Sequence, residues 1–165
     1  MRPMAYPRRR RLGGFSLIEL LVVIAIMAVL ASIGMPLADL AQQRNKETEL
    51  RRSLREIRTA LDTYKRLVDQ GRIAREADAT GYPPKLELLA EGVTDAQSPQ
   101  GTRIYLLRSL PRDPFATDPK LPAAATWAAR SYASPPDAPE PGRDVFDVHS
   151  MSSGVGMNGV PYSQW

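Results

Sequence analysis

A chain of 165 residues has room for one modest domain, and with no cysteine it excludes both a disulfide framework and a thiolate metal site. A net charge of +4 would point to nucleic acid or an acidic membrane. The five charged residues of 1–14, however, are all arginines (Arg2, Arg8, Arg9, Arg10, Arg11), and taking these five from the 22 basic residues leaves 17 against 18 acidic. The basicity therefore belongs to a head that the positive-inside rule keeps in the cytoplasm, and nucleic acid is not an expected partner.

After the small-residue junction Gly13-Gly14 the sequence reads FSLIELLVVIAIMAVLASIGM over residues 15–35, roughly the 20 residues an α-helix needs to cross a bilayer. The run is too long for an ordinary signal-peptide core and no A-x-A-like site follows it, so a retained anchor is expected. Glu19 stands one turn after Phe15, and a charged carboxylate at that depth costs on the order of several kcal/mol unless it finds a partner. No Lys or Arg lies within the apolar run. A cut between Gly14 and Phe15 would supply a cation, because a new α-amino group has an ordinary pKa of about 8. Glu19 would then pair with the amine of an adjacent subunit and fix the axial register between neighbours. The plainer alternative leaves Glu19 at the lipid headgroup level with no specific partner.

Gly14-Phe15-Ser16-Leu17-Ile18-Glu19 ahead of an apolar helix resembles the class III signal of type IV pilin-like proteins. The resemblance implies that a prepilin peptidase cuts after Gly14 and N-methylates Phe15, and that Glu19 is the assembly carboxylate. Gly34 and Pro36 mark the end of the apolar run, and a helix break is expected there because proline removes one hydrogen bond and crowds the preceding turn. From the residues alone, a simple break at the membrane surface serves as well as a kink; loosening of that proline on assembly is implied only by the resemblance.

Further on, Leu50, Leu54, Ile57, Leu61, Tyr64 and Val68 alternate spacings of four and three, which predicts one apolar helix face. Leu37 and Leu40 would belong to its first turns. The other face carries Glu47/Arg51 and Asp62/Arg66 at i,i+4 in the favourable acid-first order. Arg51, Arg52, Arg55 and Arg58 form the densest basic cluster. Interleaved acids favour a solvated or subunit-facing surface over a phosphate-binding one. Gly71 is the expected stop. One helix should thus run from Phe15 to about Gln70, its apolar stripe packing on a sheet; a coiled coil is the other use of such a stripe.

Beyond Arg72, Pro and Gly punctuate the chain. Gly81-Tyr82-Pro83-Pro84 opens a short helix predicted over residues 85–90 and closed by Gly92. A second turn follows at Leu110-Pro111-Arg112-Asp113-Pro114-Phe115. Strands are predicted over 126–133 and 144–149, with a loop from Pro135-Pro136 to Pro141-Gly142 between them, and a last short strand over 160–163. Val145 and Val148 suit a strand packed on the helix.

Gly81-Tyr82-Pro83 with Leu86, then residues 110–115, then Asp144-Val145-Phe146-Asp147-Val148-His149-Ser150 resemble, in order, the major pseudopilin group (the G subunit) of type II secretion systems. That group generally lacks the C-terminal disulfide of many type IVa pilins, in keeping with a chain without cysteine. It commonly binds calcium in its C-terminal loop through aspartates and carbonyls. The matching stretch here, residues 150–159, reads SMSSGVGMNG without a carboxylate, whereas calcium takes six to eight oxygens and usually carboxylates among them. Asp144 and Asp147 lie just ahead of the loop and leave a weakened site open. The expectation is no metal, with polar loop contacts and packing of Tyr162 and Trp165 in its place.

Catalytic chemistry has little footing. His149 is the only histidine and sits in a β-type run, so a structural strand role is expected. Asp113, Asp118, Asp144 and Asp147 could supply a carboxylate pair, but turn and strand-end roles account for them. Gly13-Gly14 and the glycine-rich tail lack the lysine and strand-to-helix setting of a phosphate loop.

The expectation is therefore an α+β chain, a long N-terminal helix with a transmembrane half and an amphipathic half packed on a small C-terminal antiparallel sheet. Its parts would be a cleaved leader (1–14), a transmembrane assembly helix (15–35) and a periplasmic domain (36–165). The resemblance implies a structural subunit, not an enzyme and without cofactor, of a type II secretion pseudopilus. It would be single-pass in the bacterial inner membrane, processed by prepilin peptidase, and polymerised with itself and other pseudopilins on an inner-membrane platform to drive export across the outer membrane. A type IV pilus subunit is the nearest alternative; a membrane-anchored binding domain or enzyme is the alternative of another class.

Overall fold

The computed structural model describes residues 14–165. Of the predicted leader only Gly14 falls within them; the rest of it, like the side chains of residues 33–37, lies outside the described part. The chain forms two compact units, Met1–Gln42 and Gln43–Trp165, and helix α1 (Leu17–Asp69) contributes to both.

In the first unit α1 is apolar around its whole circumference from Leu17 to Leu30, with Glu19 the sole charged residue there. The predicted break at Gly34 and Pro36 is not an interruption: α1 stays helical through both. Proline costs one rung and a clash, and the helix continues on either side of it.

In the second unit the predicted stripe is the core. Leu50, Ile57 and Leu61 have no exposed surface, and Leu54, Tyr64 and Val68 are buried beside them; each fully buried aliphatic side chain contributes roughly 1.5–3 kcal/mol. Gly71 ends α1 at φ 70. Its N–H donates to Val68 O at 2.9 Å while Arg72 N–H reaches back to Leu67 O at 2.9 Å, the paired bonds of a Schellman cap.

Helix α2 (Leu88–Glu91) is shorter than predicted and closes on Gly92 at φ 83. A β-carbon there would also meet the Tyr105 ring at 2.8 Å, so the position needs glycine twice over. An antiparallel hairpin absent from the sequence reading follows, β1 (Val93–Thr94) on β2 (Arg103–Ile104). Two-residue strands are too short to display alternation. A pair between the Arg72 guanidinium and Asp95 ties the end of α1 to this hairpin.

Strands β3 (Trp127–Arg130) and β4 (Asp147–Ser150) form a second antiparallel pair with Trp127 opposite Ser150 and Arg130 opposite Asp147. Both are shorter than predicted. Thr126 belongs to a 3-10 turn, Ala123–Thr126, and Val145 is buried ahead of β4. The predicted last strand over 160–163 is replaced by a single bridge, Val155 to Pro161, and a 3-10 turn, Tyr162–Gln164. Pro161 has no N–H with which to continue a ladder. The architecture is α+β, with two small antiparallel pairs in place of one sheet, and Leu86, Leu89, Leu107, Trp127, Val148 and Tyr162 close over the α1 stripe in one core.

Candidate functional site

The N-terminal residues singled out by the sequence stand together at the start of α1. Gly14 and Phe15 precede the helix outside any regular element, and Phe15 is 83 % exposed. A β-carbon on Gly14 would have nothing within 4 Å and its φ is not left-handed. The fold thus gives no reason for glycine at this place.

Helix α1 begins with Leu20 N–H donating to Ser16 O at 3.1 Å, and Glu19 occupies its first turn. Ser16 and Glu19 have the spacing of a capping box. Among the described residues, however, neither side chain makes a hydrogen bond or ion pair, so local capping leaves the carboxylate unexplained. Leu17, Ile18, Leu20, Leu21, Val22 and their successors to Leu30 stay largely exposed. A helix apolar all round belongs in a core or a bilayer. Among the described residues no helix is long and apolar enough to cross a membrane; the described side chains of the apolar run stop at Ser32, short of the sequence's 15–35.

A second constellation, centred on Glu47, was not visible in the sequence. Glu47 is 5 % exposed. Its Oε1 accepts Met157 N–H at 2.9 Å, the Tyr162 hydroxyl at 3.0 Å and Gln43 Nε2 at 3.1 Å. Burial pushes the Glu47 carboxyl up, but the bonds from Met157, Tyr162 and Gln43, with the Arg51 charge, outweigh it and hold the group below the usual carboxylate range. The predicted surface pair with Arg51 is therefore corrected. Arg51 instead lies over the Trp165 ring at 4.3 Å, a cation–π contact. Glu47 is three residues ahead of Leu50 and so in phase with the buried stripe, which is the signal that could have found it.

Arg58 also leaves the predicted solvated cluster. Its guanidinium donates to Asp147 Oδ1 at 2.8 Å, Val148 O at 3.3 Å and Trp165 O at 2.7 Å, joining α1 to β4 and the C-terminal turn. Asp62 and Arg66 form no ion pair among the described residues, where Lys65 and Asp69 do.

The candidate carboxylates are structural. Asp113 caps its own turn through Phe115 N–H at 2.8 Å and accepts the Ser150 hydroxyl at 2.5 Å. Asp144 accepts Ser131 Oγ at 2.6 Å, Tyr132 N–H at 3.0 Å and the Thr80 hydroxyl. Burial pushes the Asp144 carboxyl up; those three bonds and Arg143 pull it further down. His149 lies in β4, where burial pushes its imidazole down, Asp147 opposes, and Arg130 and Arg58 add to the fall.

Residues 9–35 match the family described as the prokaryotic N-terminal methylation motif. Among curated relatives, a protein of Klebsiella michiganensis named type II secretion system core protein G is 30% identical over 118 residues, covering 69% of this chain and 75% of that one. Its Pseudomonas aeruginosa namesake is 30% identical over 112 residues, 66% of this chain and 71% of that one. A Myxococcus xanthus protein named type IV major pilin protein PilA is 34% identical over 79 residues, 48% of this chain and 34% of that one. No solved structure matches.

Proposed function

Because the chain belongs to the type II secretion system core protein G family, we propose that it serves as a structural subunit of a secretion pseudopilus, cut from a precursor and polymerised through α1. The observation that carries this reading is the reach of the similarity. It spans about two thirds of the chain for the secretion proteins but about half for the pilin, so the similarity beyond the N-terminal signal, which both groups share, supports secretion.

In this reading prepilin peptidase cuts between Gly14 and Phe15 and methylates the new amine of Phe15. Glycine at 14, for which the fold has no use, suits a protease that needs an open, unbranched backbone. Residues 15–35 enter the inner membrane, a run of about 30 Å as helix, with 36–165 in the periplasm. Their unrelieved exposed apolar surface supports that placement. Glu19 pairs with the Phe15 amine of the next subunit, so the carboxylate left without a partner in one copy finds it in another. Gly34 and Pro36 are the place where α1 loosens when the subunit enters the filament, one rung having already been removed by proline. Other pseudopilins and an inner-membrane platform complete the assembly that drives folded substrates outward.

Deletion in the chain's own host is expected to stop export of its secreted proteins to the medium while surface pili persist, as read by secretome analysis and pilus shearing. Lost pili with intact export would favour the pilin reading that the Myxococcus relative keeps in play.

A further inference from the structure

A calcium ion of the kind the resemblance implies would have to find its oxygens in residues 150–159, where Ser150, Ser152 and Asn158 are already committed and the exposed Ser153 is the one remaining side-chain oxygen. Ser150 Oγ donates to Asp113 and accepts Ser152 N–H at 3.1 Å; Ser152 Oγ accepts Gly154 N–H at 3.2 Å; Asn158 Oδ1 accepts Val160 N–H at 3.1 Å. The two carboxylates ahead of the loop are equally engaged, Asp144 by Ser131, Tyr132 and Thr80, and Asp147 by Arg58 and Arg130. Among the described residues no three acidic or histidine side chains are grouped as a metal requires. The residues present do not fit calcium.

The loop is nonetheless anchored to α1, and the anchor has the opposite polarity. A cation gathers carbonyls and carboxylates; here one carboxylate gathers donors. We propose that Glu47 takes the place of a divalent cation, fixing the C-terminal loop to α1 by collecting the Met157 N–H, the Tyr162 hydroxyl and the Gln43 amide, so that the domain closes without metal. Gln43 Nε2 also reaches the Tyr162 hydroxyl at 3.2 Å, bracing that ring from the helix side. Tyr162 stacks on Phe115 with centroids 4.1 Å apart and meets Trp165 edge-on at 5.1 Å. The loop is built to receive these rings. A β-carbon on Gly154 would stand 2.9 Å from Tyr162, and one on Gly156 would collide with Trp165. Glu47 thus holds a packed unit and not a loose strand of backbone.

The test uses the full chain in detergent micelles. Its melting temperature is expected to be the same in EGTA and in millimolar calcium. Glu47→Ala is expected to speed hydrogen exchange at the Met157 amide at least ~10-fold, with no recovery on adding calcium. If Glu47→Ala is not recovered folded, Tyr162→Phe, which removes one donor and keeps the ring, decides: faster exchange at the same amide supports the anchor, and unchanged protection overturns it. A calcium-dependent rise in melting of the unsubstituted chain, or full Met157 protection in Glu47→Ala, would also overturn it. None of these readouts involves polymerisation, so failure here leaves the filament reading intact.

Discussion

Glu19→Ala is expected to abolish filament assembly while leaving the chain processed and in the membrane. The substitution makes an apolar run more apolar, so insertion is favoured, not hindered. What it removes is the one charge in the first turns of α1. Unpaired in a bilayer that charge costs about 2.5–3.5 kcal/mol, and the proposed pairing with the amine of the next subunit would recover this only in the polymer. Losing about 3 kcal/mol at each junction weakens subunit affinity by more than ~100-fold. In a polymer every subunit repeats the loss. Membrane fractionation with cross-linking of the assembled form reads both halves of the expectation. Normal polymers from Glu19→Ala chains would return Glu19 to the lipid headgroups and leave α1 a simple anchor, as in a tethered enzyme or binding domain.

The second large effect lies in the domain. Ile57 has no exposed surface and sits mid-stripe between Leu54 and Leu61, so Ile57→Ala removes packed methyl and methylene groups and leaves a cavity in the core. A loss of about 2–5 kcal/mol is expected, a substantial part of the ~5–15 kcal/mol that holds an ordinary domain together. Arg52, exposed on the same helix, is the control: Arg52→Ala should change stability by less than ~0.5 kcal/mol. Thermal melting of the two full-length variants separates them. Similar melting for both would mean that the stripe does not form the core.

These two residues show what the sequence made legible. Ile57 was legible because a 3.6-residue period repeated over six apolar positions is a strong signal; Glu19 stood out as a lone carboxylate in an apolar run, and among the described residues its side chain has no local partner. The Gly71 stop was legible for the same kind of reason, since a left-handed cap demands glycine. The misses have physical causes as well. Glu47 continues the stripe's phase, yet a glutamate beside an arginine four residues on looks like a surface pair until Met157 and Tyr162, more than a hundred residues away, are brought to it. Arg58 was read with its arginine neighbours for the same reason: its partners Asp147 and Trp165 are set by tertiary structure. The hairpin at Val93–Thr94 and Arg103–Ile104 is too short to leave a period, and the predicted last strand overlooked the missing donor of Pro161.

The most direct test of the whole account is the mass and N-terminal sequence of the membrane-embedded protein isolated from its host. The protein is expected to lack residues 1–14, to begin at Phe15 and to be heavier there by one methyl group. A membrane-embedded chain still beginning at Met1 would contradict it, because Glu19 would then have no new amine to meet and the filament would lose its register.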